Sequence, residues 1–116
     1  AGVSEVMHVI GEVEDRVCIL VDDMVDSGGT LCNAAKALME NGAKEVHSYI
    51  VHGVLSGGAV ARVTASPLKS MIITDSIAAT EAVRVAHNIE QLSVASLIGE
   101  AMKRIAEDRS VSAILD

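Results

Sequence analysis

Phenylalanine and tryptophan are absent from the 116 residues, and Tyr49 is the one aromatic side chain, although half of the chain is apolar. A core of this composition must be filled by Val, Ile, Leu, Ala and Met, which suits helices packed tightly on a sheet. Long hydrophobic runs are missing too. The longest, residues 17–21, falls far short of the roughly 20 residues that span a bilayer, and the N-terminus lacks a basic-then-apolar leader pattern. A soluble, cytoplasmic chain with no membrane partner is therefore expected. Positive charge is scarce: nine Lys and Arg stand against sixteen Asp and Glu, for a net charge of −7. This balance disfavours nucleic acid and anionic membranes as partners, and an anionic ligand would need local help to bind.

Cysteine is also sparse. Cys18 and Cys32 form no C-x-x-C pair and have no histidine at zinc-finger spacing, so they read as buried free thiols and not as metal or redox groups. His8, His47, His52 and His87 are scattered without metal-ligand spacing and read as surface or hydrogen-bonded side chains. His52 differs in directly following a predicted strand, on the edge where a ligand would sit, and is a candidate site-lining residue. No internal repeat or low-complexity segment occurs. The length suits one domain, residues 1–116, with a real core. The opening Ala1-Gly2-Val3 lacks an initiator Met, and the apolar segment 6–10 has no preceding element to pair with. A fragment of a longer chain is expected.

Residues 17–21 (Val-Cys-Ile-Leu-Val) form a continuous apolar, β-branched run, the pattern of a central strand buried on both faces of a parallel sheet. Leu31, Ala34, Ala35, Leu38 and Met39 then recur at helical spacing, and Asn41-Gly42 supplies a stop, which predicts a helix over 29–41. Residues 45–51 read as the next strand, 59–64 as a short helix ahead of a turn at Ser66-Pro67, and 71–74 as a third strand. Residues 76–88 are ambiguous, and 90–94 read as a short strand. A last helix follows, with Leu97, Ile98, Ala101, Met102 and Ile105 on one face. Strands alternating with helices imply right-handed crossovers, hence an α/β fold with a mostly parallel sheet flanked by helices on both sides.

The chemistry converges on residues 21–30, Val-Asp-Asp-Met-Val-Asp-Ser-Gly-Gly-Thr, between the first strand and its helix. In open α/β sheets ligands bind beyond the C-terminal strand ends, where the next helix offers unpaired N–H groups and a positive dipole end. Ser27, Gly28, Gly29 and Thr30 are small, so several backbone N–H groups can face one phosphate, and Thr30 adds a hydroxyl donor. The G-x-x-x-x-G-K-[ST] and G-x-G-x-x-G patterns are both missing, which argues against a nucleotide triphosphate in this loop. Asp22, Asp23 and Asp26 sit uneasily beside a phosphate: like charges ~6 Å apart repel by about 3 kcal/mol at an effective dielectric of ~20. They make sense if they face sugar hydroxyls or a divalent cation, so a phosphorylated sugar with Mg²⁺ meets both demands. Helix capping and an Asx turn are the alternative use of Asp22 and Asp26.

This decapeptide resembles the ribose-phosphate loop of the type I phosphoribosyltransferase fold. His52-Gly53-Val54-Leu55-Ser56-Gly57 and Glu107-Asp108-Arg109-Ser110-Val111-Ser112 are similar to stretches of the ribose-phosphate pyrophosphokinases, as are Val9-Ile10-Gly11 and Asn41-Gly42-Ala43-Lys44. The likeness covers nearly the whole chain and suggests the C-terminal part of such an enzyme. It implies that Asp22, beside Asp23, binds ribose hydroxyls, and that Asp26, Ser27, Gly28, Gly29 and Thr30 form the 5-phosphate loop. It further implies ribose 5-phosphate, ATP and Mg²⁺ as ligands, and a homo-oligomer of dimers assembling to a hexamer. An allosteric phosphate or ADP site is implied near Ser110 and Ser112, where a docked apolar tail through Val111, Ile114 and Leu115 is the other reading. The family's ATP site and basic catalytic loop have no counterpart here, so the isolated piece is expected to be inactive. Gly58 stands where the family usually has Pro, a change expected to loosen that loop slightly. Two alternatives stay open: a non-catalytic regulatory or assembly subunit, and part of a purine or pyrimidine phosphoribosyltransferase.

Overall fold

The computed structural model describes residues 8–116, so the apolar segment 6–10 begins outside the described residues, and 8–10 have no regular structure. The elements follow as β1 (Val17–Val25), α1 (Gly29–Glu40), β2 (Glu45–Gly53), α2 (Ala59–Ala65), β3 (Ser70–Thr74), α3 (Glu81–Val85), β4 (Ile89–Leu92) and α4 (Ala95–Ala106), then a 3-10 turn at Ser112–Leu115. All four strands are parallel in the order β1-β2-β3-β4, with Val17 opposite Glu45, His47 opposite Ser70 and Met71 opposite Ile89. The ambiguous stretch holds α3, whose N-cap Thr80 accepts from the Val83 N–H. A side-chain oxygen at that position satisfies an amide the helix cannot.

Two sequence expectations need correction. Residues 17–21 were expected in a central strand, yet β1 is an edge strand among the described residues. Helices were expected on both faces, yet α1, α2 and α3 all pack on one. The strand order explains this, because successive right-handed crossovers that never reverse direction place every helix on the same side. On that side Val46, Ile50, Met71 and Ile73 of the sheet meet Cys32 and Ala35 of α1, Ala59 and Val63 of α2, and Val83 of α3 in one buried cluster. On the other side Ile19, Val21, Tyr49, Val51 and Leu92 are exposed, Val21 to 76%. Continuous apolarity marks a strand suited to two-sided burial, but does not supply the second layer. The apolar face of α4 also stays open: Leu97, Ile98, Met102 and Ile105 are all exposed, and α4 packs chiefly against the 3-10 turn.

Local rules account for the joints. The stop of α1 at Asn41-Gly42 closes as a Schellman motif: the Gly42 N–H donates to the Met39 carbonyl at 3.1 Å and the Ala43 N–H to the Leu38 carbonyl at 3.0 Å. Buried Asn88 ties α2 to the sheet, its Nδ2 donating to the carbonyls of Val63 and Leu68 at 3.1 and 3.0 Å. At Gly53, where β2 leaves the sheet, a Cβ would stand 2.7 Å from Ile73 Cδ1. Glycine is needed there because the neighbouring strand's side chain fills the space.

Gly53→Ala is therefore expected to destabilise the fold by about 1–3 kcal/mol in urea denaturation, the usual cost of overpacking. Pairing it with Ile73→Val removes the clashing methyl, so the double variant should lose less than the sum of the two single losses.

Candidate functional site

Strand β1 runs four residues further than the apolar run, so Asp22 and Asp23 lie on the strand itself and only 26–28 make the turn into α1. Adjacent strand residues project to opposite faces. Accordingly, Asp22, Asp26, Ser27, Gly28 and Thr30 line one cavity of about 460 Å³ with Leu20, Met24 and Leu31, whereas Asp23 and Gly29 do not line it. The sequence-derived group is thus brought together except for those two. Asp23 instead donates its own N–H to Asp22 Oδ1 at 2.8 Å.

The turn has the local features that anion sites at helix starts use. Gly28, the N-cap of α1, has φ 78° and carries no side-chain cap, and the first turn of α1 has no acidic residue. Other residue types seldom adopt that φ, and Val63 Cγ2 and Val25 Cγ2 stand 3.6 and 3.9 Å from where a Cβ would be. Thr30 and Leu31 of the first turn of α1 line the cavity, and the Gly29 N–H is drawn to Ser27 Oγ at 3.4 Å. A phosphate seated there would gain from the helix end about 0.3–2 kcal/mol, plus direct N–H bonds.

The segment after β2 clamps this turn from behind. The Val25 carbonyl accepts from the Val54 and Leu55 N–H groups at 3.0 and 3.1 Å, and the Asp26 carbonyl accepts from the Ser56 N–H at 3.2 Å. Ser56 Oγ donates to Asp26 Oδ1, and Arg62 Nη1 of α2 donates to the Ser27 carbonyl. Sequence reasoning missed Ser56 and Arg62 as partners of the loop; they lie 30 and 35 residues away, and no local spacing links them. Cys32, in the first turn of α1, is buried as expected, and burial pushes its thiol up, opposed by a bond from Ser66 and the charge of Arg62. Cys18 is only partly buried.

His52 sits at the end of β2 opposite Met24, and its Nδ1 meets Ser76 Oγ at 2.8 Å. It does not line the cavity of the acidic loop. Asp75, next to Ser76 and just past the end of β3, accepts from the Val94 N–H at 2.8 Å and so anchors the start of α4. Ser110 Oγ and Ser112 Oγ are 2.9 Å apart, and Arg104 Nη1 donates to the Ser110 carbonyl at 3.2 Å, all at the exposed end of α4. Val111 and Leu115 are exposed there, and Ile114 is partly buried. Among the described residues no three His, Cys, Asp or Glu side chains converge as a metal cage would require, and no helix is long and apolar enough to cross a membrane.

The Val94 N–H and the Ser93 hydroxyl hold the Asp75 carboxyl below its ordinary value of 3.8. A depressed folded-state pKa means that Asp75 contributes stability above the ordinary aspartate range and loses it as the pH falls through the folded value. NMR titration is expected to show Asp75 titrating below other exposed aspartates, with the Val94 and Ala95 amides shifting in step. Asp75→Asn should remove that acid-side transition.

Comparison with known proteins gives this arrangement a context. Residues 3–116 match the family described as the phosphoribosyl synthetase-associated domain. The chain is 64% identical over 116 residues to a ribose-phosphate pyrophosphokinase of Granulibacter bethesdensis, covering 100% of this chain and 37% of the relative. It is 63% identical over 115 residues to the ribose-phosphate pyrophosphokinase of Rhizobium meliloti, again 37% of that relative. The crystal structure of phosphoribosylpyrophosphate synthetase from Mycobacterium smegmatis superposes with a TM-score of 0.81 at 35% identity, over 85% of this chain and 33% of that one. The chain thus spans little more than a third of the length of these curated relatives.

Proposed function

Because the chain belongs to the phosphoribosyl synthetase-associated domain family, we propose that its loop 22–30 is the ribose 5-phosphate half-site of a ribose-phosphate pyrophosphokinase. The observation that carries this reading is the single cavity shared by Asp22, Asp26, Ser27, Gly28 and Thr30 at the uncapped start of α1. The amides and the Thr30 hydroxyl take the 5-phosphate, and the carboxylate of Asp22 accepts from ribose hydroxyls. Asp26 is held by Ser56 and shapes the wall of the loop. Asp23, the second acid of the pair, lies on the other strand face and supports Asp22 only through its backbone N–H, donated to Asp22 Oδ1.

In the whole enzyme the anomeric oxygen of ribose 5-phosphate attacks the β-phosphorus of ATP, the bond to the α-phosphate oxygen breaks, and AMP leaves. Mg²⁺, when bound, neutralises charge on the transferring diphosphate. With no three-ligand cluster among the described residues, it would be held by one or two carboxylates, Asp22 foremost, together with substrate oxygens, which is how this ion usually binds. Diphosphate transfer also needs cations against the transferring group. Among the described residues the one cation bonded to the loop is Arg62, and its Nη1 is engaged by the Ser27 carbonyl. The chain alone therefore binds and orients the acceptor sugar but leaves the transfer to cationic groups in the rest of the longer parent enzyme, which is a homo-oligomer in this reading. Ser110 and Ser112 remain the regulatory candidate of this reading.

Calorimetric titration with ribose 5-phosphate, with and without Mg²⁺, is expected to give saturable binding that Asp22→Ala weakens about tenfold or more, as for loss of charged hydrogen bonds. Phosphoribosyl pyrophosphate should not form when ATP is added to the chain alone. Binding unchanged in the variant would remove Asp22 from the site, and no binding by the native chain would remove the site from this chain.

A further inference from the structure

The loop has no Lys or Arg in its own sequence, and the fold brings one to it from behind. Arg62 donates through Nη1 to the carbonyl oxygen of Ser27. In a trans peptide the C=O of one residue and the N–H of the next point in opposite directions. Drawing the Ser27 carbonyl toward α2 therefore turns the Gly28 N–H away from α2, into the turn where Ser27, Gly28 and Thr30 share the cavity wall. Nothing in the loop alone enforces that orientation. Gly28 stands at φ 78° with ψ 0°, and a glycine accepts either sign of φ, so the 27–28 peptide could rotate by half a turn without a side-chain clash at Gly28. After such a rotation a carbonyl oxygen would face an incoming phosphate in place of an N–H.

We infer that Arg62 is a positioning residue for the phosphate loop, locking the Ser27–Gly28 peptide in the orientation that presents the Gly28 N–H to the 5-phosphate. The inference rests on the half-site reading above and deepens it. Arg62 is itself well placed for this task. Its N–H donates to the Gly58 carbonyl at 3.0 Å, its carbonyl lies 3.9 Å from Cys32 Sγ in the first turn of α1, and its neighbour Val63 is fully buried. The guanidinium is thus carried on a backbone pinned to both the loop that follows β2 and the helix that receives the phosphate. Its planar donor fork suits a carbonyl fixed in direction, and its charge also favours an anion nearby. It need not touch the ligand to do either.

The test titrates ribose 5-phosphate into the full 116-residue chain and its Arg62→Met and Arg62→Lys variants, following the Gly28 amide resonance by NMR in the same samples. Arg62→Met is expected to weaken binding about tenfold, the scale of one charged hydrogen bond. Its free-state Gly28 amide should shift or broaden as the peptide begins to rotate. Arg62→Lys should recover part of both, since an ammonium can donate to the same carbonyl. Binding by Arg62→Met within about twofold of the native chain, with the Gly28 amide unmoved, overturns the inference and leaves the half-site reading standing. Absence of ribose 5-phosphate binding by the native chain defeats that reading and the inference with it. Should thermal melting show Arg62→Met unfolded, Arg62→Leu, which likewise cannot donate, is measured in its place: affinity within about twofold of the native chain with an unmoved Gly28 amide overturns the lock.

Discussion

The carbonyl of Val25 accepts two hydrogen bonds from the Val54 and Leu55 amides, and the site depends on that junction. It joins the last residue of β1 to the segment leaving β2, so the turn into α1 cannot shift without disturbing the parallel pairing behind it. Gly53 belongs to the same junction, since only a residue without a Cβ lets Ile73 pack against the strand end there. A loop of small residues such as 26–30, proposed to hold several amides around one phosphate, has little side-chain material of its own to stiffen it. Here stiffness is borrowed from the neighbouring crossover, through Ser56 and Arg62 as well as the backbone.

If an acidic chain is to bind an acidic ligand, as proposed, its charges must be sorted in space. With a net charge of −7, the long-range field of the protein repels a sugar phosphate. Local arrangement has to win against it. The uncapped start of α1 supplies positive potential on one side of the cavity, Arg62 reinforces it from behind, and the carboxylate of Asp22 stands in the same cavity where hydroxyl donors can meet it. Asp23 on the opposite strand face keeps one of the three carboxylates out of the cavity, which lessens the repulsion that three would impose.

Much of this was legible in the residues. The stop at Asn41-Gly42, the β2 and β3 strands and the small-residue turn into α1 follow from local chemistry: turn formers, helical spacing and small residues at a strand-to-helix junction. The family resemblance of loop 21–30 agrees with the family match over residues 3–116. Non-local features were not legible. The run at 17–21 is apolar on both faces, yet whether a second layer covers it depends on strand order, and β1 lies at an edge. The apolar stripe of α4 likewise marks a face suited to burial without naming what covers it. Asp22 and Asp23 read as one acidic pair in sequence, and the strand's alternation separates them. The contacts from Ser56, Arg62 and Ser76 join residues 24 to 35 positions apart, beyond the reach of any spacing rule.

The account turns on where the sugar phosphate sits. A crystal structure of the chain grown with ribose 5-phosphate tests that most directly. The account predicts the phosphorus seated against the backbone amides of Ser27, Gly28, Gly29 and Thr30, with the ribose hydroxyls directed to the Asp22 carboxylate. A sugar phosphate bound with its phosphate away from the start of α1, at the Ser110–Ser112 end of the molecule or against the open face of the sheet, would contradict it.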